Sequence, residues 1–258
     1  MVRGVFFDVY GTLLVLGNPA QAWADWAEAF YETFASHGFE GERAAFEQRC
    51  LAMFDGAAPK PPDAGLTLYE TRIRRFGEEI GFQTSIACIL ETAARTVGAW
   101  HGQVSRDPDA LSVLEGLRGS VVLAVVSNFD HPAYLRSVLE RFELTRFFDT
   151  VVISGEAGVE KPDPEIFRLC LRQTGLTPGE TVHVGDSEED VLGATRAGCH
   201  AVRIVRGTQA APAEVSGVKT IARLTNLFGV LQELGEDKHN VNPDSAGGAG
   251  KSPADKGT

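Results

Sequence analysis

Apolar positions in this chain follow two rhythms. Over residues 20–37, Trp23, Trp26, Ala27, Phe30 and Phe34 recur every three or four places, the spacing that lines up one face of a helix. Residues 44–54 predict a second helix. Tyr69, Ile73, Phe76 and Ile80 stripe a third, and residues 86–100 predict a fourth. Pro59, Pro61 and Pro62 break the chain between the second and third.

On either side of this block the rhythm changes. Short, mostly apolar runs at residues 2–7, 121–126, 151–154, 181–184 and 201–205 have the length of buried strands. Helical stretches are expected between and after them, at 108–118, 133–142, 164–173, 188–197 and 221–234. Strands alternating with helices predict an α/β fold with a parallel sheet covered on both faces. The expected core is 1–15 and 103–235, and the helical block 16–102 is an insertion covering the sheet. No internal repeat is evident. Residues 236–258 are rich in Gly, Pro, Asp, Lys, Asn and Ser and hold no Phe, Trp or Tyr. They are expected to form a disordered tail. Gly250-Lys251-Ser252 imitates the end of a phosphate-binding P-loop, but Ser245 stands where that motif needs its first glycine.

Charge narrows the function. Thirty-five acidic and 24 basic side chains give a formal net charge of −11. That balance argues against a general nucleic-acid binder and against anionic membranes. A phosphate ligand would need a local cation or a metal. The run at 121–126 is too short to cross a bilayer. The first apolar run meets Asp8 and turns at Gly11, unlike a secretion signal. Cys50, Cys88, Cys170 and Cys199 are scattered and form no C-x-x-C pair. A reduced, cytoplasmic location is expected.

Four polar segments fall at or just after predicted strand ends. They are Asp8-Val9-Tyr10-Gly11-Thr12, Ser127-Asn128, Lys161-Pro162, and Gly185-Asp186 with Asp190. Singly, each has a plain reading: Asp8, Ser127-Asn128 and Asp186 as turn or helix caps, Lys161 as a solvated loop residue, Asp190 on an exposed helix face. Together they supply a carboxylate, a hydroxyl, an ammonium and further carboxylates to one edge of one sheet, where open parallel sheets bind ligands.

The order D-x-x-G-T, S-N, K-P, G-D-x-x-x-D resembles the haloacid dehalogenase superfamily of hydrolases. The stretches VSNFD at 126–130 and GVEKPDPEIF at 158–167 are similar too. The resemblance spans about 3–16 and 103–207 and implies a Rossmann-like core with a helical cap inserted between the first two motifs. It implies Asp8 as nucleophile, forming a covalent intermediate. It implies Mg²⁺ held by Asp8, the Tyr10 carbonyl and Asp186, with Asp190 in support. Ser127 and the backbone near Asn128 would bond the transferring group, with Thr12 beside them in the first motif. Lys161 would offset charge. Hard oxygen ligands suit Mg²⁺.

One position departs from the phosphatases of that family, which carry a second Asp two residues after the nucleophile. Here it is Tyr10, a poor acid with a reference pKa near 10. D-x-Y-G-T resembles the metal-independent 2-haloacid dehalogenases, whose halide leaves without a proton. Those enzymes, however, carry Ser and Asn where this chain has Gly185 and Asp186, and an arginine-rich clamp early in the cap. Residues 22–34 hold no Arg. Two carboxylates about 4 Å apart repel by roughly 4 kcal/mol at an effective dielectric of 20, so Asp8 and Asp186 call for a cation. A Mg²⁺-dependent phosphatase acting on a small phosphorylated metabolite is the favoured reading. A 2-haloacid dehalogenase and a low-turnover binding protein are the alternatives. Trp23, Trp26, Phe30 and Phe34 read as the cap's own core, Arg72, Arg74 and Arg75 as a solvated face, and His183 and His200 as structural.

Overall fold

Apolar runs of four to six residues leave no polar face to water, so each strand must be covered from both sides. The computed structural model, which describes residues 1–54, 62–206 and 217–236, builds its sheet this way. Strand β1 (Gly4–Phe7) leads through a tight loop into β2 (Leu14–Leu16). Helices α1 (Pro19–Ser36), α2 (Arg43–Cys50), α3 (Leu68–Glu79) and α4 (Ile86–Trp100) follow, before β3 (Val104–Arg106). The chain then alternates: α5 (Ala110–Leu117), β4 (Val122–Ser127), α6 (Pro132–Arg141), β5 (Thr150–Ile153), α7 (Ser154–Ala157) and α8 (Pro164–Thr174). It ends with β6 (Thr181–Gly185), α9 (Glu188–Ala197), β7 (His200–Ile204), β8 (Lys219–Ile221) and α10 (Leu227–Glu236).

Six strands form one parallel sheet in the order β5-β4-β1-β6-β7-β8. This is a Rossmann-like α/β fold. Successive residues face opposite layers: Val5 and Phe7 join the core beneath α5, α6 and α10, while Phe6 joins α8 and α9. After β1 the chain builds outward through β4 and β5, then returns to place β6 on the other flank of β1. The carboxyl ends of β4, β1 and β6 therefore meet at a topological switch point, where open α/β sheets form a crevice.

The insertion has its own aromatic core. Phe30 is fully buried and meets the rings of Trp26, Phe34, Phe46 and Phe76 at centroid distances of 5.2, 4.9, 5.2 and 5.1 Å. Its helices start on side-chain caps: Asn18 accepts from the Gln21 amide, Thr67 and Glu70 form a capping box, and Ser85 accepts from the Cys88 amide. The two links between insertion and sheet are paired as β2 and β3, and the Gly17 amide donates to Gln103 (2.8 Å).

Three differences from the sequence reading stand out. The β2–β3 pair was not predicted, because three-residue strands carry no periodicity and their partners lie some ninety residues apart. Nor do residues 201–205 close the sheet: β8 adds an edge, with Ile221 paired to Ile204, and the last helix starts at Leu227 rather than 221. Ile221 fits a helical stripe as well as a strand, and only the neighbouring strand decides. Third, Lys161 does not directly follow a strand; it lies between α7 and α8. Of the proposed tail, 237–258 lies outside the described residues, as does the P-loop look-alike. Among the described residues no helix is long and apolar enough to cross a membrane.

Phe30→Ala is expected to cost about 3–5 kcal/mol, the range for emptying a large aromatic site, with urea unfolding as the measurement. A loss under about 1 kcal/mol would mean that this core does not hold the insertion together.

Candidate active site

Asp8 is the first residue after the central strand, and its amide donates to the Val184 carbonyl of β6 (2.9 Å). The chain then turns through Gly11 at φ +84°. A β-carbon there would run into the Asp186 carboxylate, so glycine is required both for the turn and for Asp186 to approach. Gly185 is required in the same way, because a side chain would overlap Asp190.

Lys161 joins the segments. It is buried, and its Nζ donates to Asp8 Oδ1 and Asp190 Oδ1, both at 2.6 Å. Its backbone is clipped by Asn128, whose Nδ2 donates to the Lys161 carbonyl (2.9 Å) and whose Oδ1 accepts from the Lys161 amide (2.8 Å). Asp190 is no exposed helix residue. It occupies the third position of α9, where it completes a capping box with Ser187, and is 2% exposed. It accepts four bonds: from Lys161, from His183 Nε2 (2.9 Å), and from the Ser187 amide and hydroxyl (3.1 and 2.6 Å). Asp186 is not the cap of α9; Ser187 is.

These bonds divide the charge. Burial would raise Asp190, but Lys161 and His183 outweigh it and hold the carboxyl well below its usual range. Burial also works against the Lys161 ammonium, yet Asp8 and Asp190 keep it protonated and above its ordinary value. Among the described residues Asp8 accepts a bond from Lys161 alone, and burial, reinforced by Asp190, pushes it up to about 6. Asp186 is raised too, by burial and by Asp190. Oxygens of Asp8, Asp186 and Asp190 lie within 4.8 Å of one another. Three hard carboxylates share one buried ammonium, and the two with the weaker support are the ones that resist ionising. That donor set fits a divalent cation such as Mg²⁺.

Tyr10 points its ring the other way. It stacks on Phe129 (centroids 5.4 Å), and its hydroxyl donates to His101 Nε2 (2.6 Å). The acceptor role of Nε2 follows from the other nitrogen: Nδ1 faces the Val97 carbonyl at 2.8 Å and must carry the hydrogen. Burial lowers His101 and raises Tyr10 far above the ordinary phenol range. Ser127 ends β4 and is buried. Thr12 is fully buried, its Oγ1 without a partner.

Two groups support the site in ways the sequence did not show. His183, expected to be structural, lies on β6 and buttresses Asp190. Arg206 follows β7 at the same sheet edge; its guanidinium donates to the Gly11 carbonyl, to the Thr12 carbonyl (2.7 Å) and to buried Asp107 (2.8 Å). It holds the loop after Asp8 in place, and the strand-end rule that found the others would have found it. Two expectations are corrected. Arg72 is not a solvated residue: it spans from α3 to Asp130 (2.6 Å) and the Met53 carbonyl (3.0 Å). Arg74 pairs with Asp63, while Arg75 is exposed. Phe30 and Phe34 are core, but Trp23 is 36% exposed and, with Trp26, lines a cavity.

Asp186→Asn is expected to weaken Mg²⁺ binding by about tenfold or more; unchanged affinity by titration calorimetry would remove Asp186 from the site. A second expectation concerns metal-free protein. Burial pushes Asp8 up to about 6 in the fold from an ordinary value of 3.8, so its favourable contribution is complete below about pH 4 and is lost as pH rises through 6. Asp8→Asn in EDTA should therefore be more stable than wild type at pH 8, by roughly 2–3 kcal/mol. The gap should close as pH falls from 6 to 4, and thermal melts across that range check it.

Comparison with known proteins places this geometry. A family model described as haloacid dehalogenase-like hydrolase matches residues 2–198. The chain is 31% identical over 221 residues to haloacid dehalogenase-like hydrolase domain-containing protein 3 of Homo sapiens, covering 81% of this chain and 84% of that one. It is 37% identical over 123 residues to a phosphoserine phosphatase of Thermus thermophilus, covering 47% and 49%. Among solved structures it resembles a 2-haloacid dehalogenase of Pseudomonas syringae pv. Tomato, with a TM-score of 0.66, 24% identity and coverage of 90% and 99%. That last likeness speaks for the fold alone. The matched span takes in the loop after Asp8, Lys161 and the acidic cluster, and the chain belongs to the haloacid dehalogenase-like hydrolases.

Proposed function

We propose that the protein is a Mg²⁺-dependent phosphatase that hydrolyses a small phosphorylated metabolite in the cytoplasm through an aspartyl-phosphate on Asp8. One observation carries the choice over a metal-independent dehalogenase: Asp186 is brought against the nucleophile loop through Gly11, while Asp190 and Lys161 are already committed to each other. An anionic haloacid would enter a site with more negative charge than its one ammonium offsets. Asp8, the Tyr10 carbonyl and Asp186 would hold the cation, with Asp190 in support. When bound, Mg²⁺ neutralises charge on the phosphoryl oxygens and the nucleophile.

The chain's own groups do the rest. Lys161 holds Asp8 ionised and aimed, and remains charged throughout the working pH range. Ser127 and the backbone at Asn128 are the donors for the transferring group, with Thr12 beside them in the loop after Asp8. Proton supply is the weak part. The Tyr10 hydroxyl is committed to His101, and burial makes it a poorer acid still. A positioned acid contributes roughly 10²–10⁴-fold, and this site forgoes it.

Turnover of p-nitrophenyl phosphate and acetyl phosphate with Mg²⁺ is therefore expected, weak turnover of sugar phosphates, and none of these in EDTA. Asp8→Asn should be inactive on all of them, and Tyr10→Asp should gain on alkyl esters. The dehalogenase reading has Tyr10 in its favour. Halide release from 2-chloropropionate in EDTA, with every phosphate ester ignored, would establish it instead.

A further inference from the structure

A second cavity, of about 350 Å³, lies between the helical insertion and the sheet, within the size range of small-ligand sites. Its wall is aromatic. Trp23 and Trp26 come from α1, Tyr69 from α3 and Trp100 from the end of α4, and Phe129 faces them from the loop after β4. Trp23 packs edge-on against Trp26 and Trp100 (centroids 5.4 and 5.1 Å), yet over a third of it remains open. Trp26 Nε1 donates to the Tyr69 hydroxyl (2.8 Å), which bonds Thr96 (2.7 Å), so these two rings are fixed. His131 also lines the cavity, with its buried Nδ1 unpaired among the described residues.

This cavity adjoins the reaction centre. Trp100 and Phe129 line it and also line the cavity of about 510 Å³ that contains Asp186, Gly11 and the Tyr10 ring. Asn128, which clips Lys161 in place, lies at its edge. Among the described residues its lining carries Asp130 and Glu160 and no lysine or arginine; Arg72, over the Phe54 ring, is already paired with Asp130. A second phosphate or a carboxylate on a ligand would meet two carboxylates there.

Resting on the phosphatase reading, we infer that the substrate is a phosphate monoester of an uncharged, planar aromatic alcohol, with the ring seated among Trp23, Trp100 and Phe129. Tyr10 bears on the same conclusion independently. An Asp8 oxygen forms a bond to phosphorus as the phosphorus–oxygen bond to the ring breaks. The electron pair leaves on an aryl oxide, stable enough to depart without a proton from the protein. Water then attacks the phosphorus, releasing phosphate and restoring the Asp8 carboxylate, and the aryl oxide takes its proton from solvent.

The test compares kcat/KM with Mg²⁺ for 1-naphthyl phosphate, phenyl phosphate, 4-carboxyphenyl phosphate and acetyl phosphate. Naphthyl should exceed phenyl, and the carboxylate should weaken phenyl by raising KM. Trp23→Ala should lower the naphthyl-to-acetyl ratio by about tenfold, the low end of what apolar pocket contacts discriminate. Trp23→Phe should restore most of it, and Leu90→Ala, exposed on α4, should keep the wild-type ratio. Quenching of tryptophan fluorescence by the non-hydrolysable 1-naphthylmethylphosphonate should weaken in Trp23→Phe and Trp23→Ala alike if the ring stacks there. Acetyl phosphate turnover with no naphthyl preference, or a ratio unmoved by Trp23→Ala, overturns the aromatic slot and leaves the phosphatase reading standing. No turnover of any ester overturns both.

Discussion

The buried ammonium of Lys161 is the interaction on which the site depends. It bridges Asp8 on the loop after the central strand and Asp190 on α9, 2.6 Å from each. Removing the ammonium would strand both carboxylates, and leaving a buried charge unpaired typically costs about 3–5 kcal/mol; neutralising Asp8 leaves Lys161 paired with Asp190. Three segments distant in sequence are therefore tied to one point. The arrangement is asymmetric. Asp190 collects four donors and carries its charge easily, whereas Asp8 has one and is raised towards neutrality. A carboxylate short of support next to another raised carboxylate, Asp186, is a donor set that fits a cation.

The sheet explains how such a cluster can exist. The chain leaves β1 towards β4 and comes back to β6 on the other side, so the loops after these strands diverge from one crevice. Small residues let the carboxylates close in: Gly11 admits Asp186, and Gly185 admits Asp190. Arg206 fastens the first loop from the far flank by its carbonyls and Asp107. The insertion hangs from the β2–β3 pair and faces this crevice with aromatic residues from α1 and α4.

Tyr10 connects the chemistry to that aromatic surface. Its hydroxyl is spent on His101, at the junction of insertion and sheet, and its ring stacks on Phe129. The ring thereby extends the apolar wall, and the hydroxyl is held away from the carboxylate cluster.

Much of the design is local and was legible in the order of residues. Mostly apolar runs predicted the parallel sheet, the three-to-four spacing predicted the helices of the insertion, and strand-end position singled out Asp8, Ser127 and Asp186, while Lys161 lies between α7 and α8 rather than at the strand end expected for it. These are one-dimensional signals, because a strand or helix imposes its period on the residues it contains. What depends on neighbours from elsewhere in the chain had no such signal. Ile221 became a strand residue only by lying beside Ile204. Asp190 looked like an exposed helix position until Lys161 and His183 arrived to bury it. Trp23 and Phe30 share one helical stripe, yet one faces a cavity and the other the core. Periodicity says which side of a helix is apolar; packing alone decides whether that side meets protein or open space.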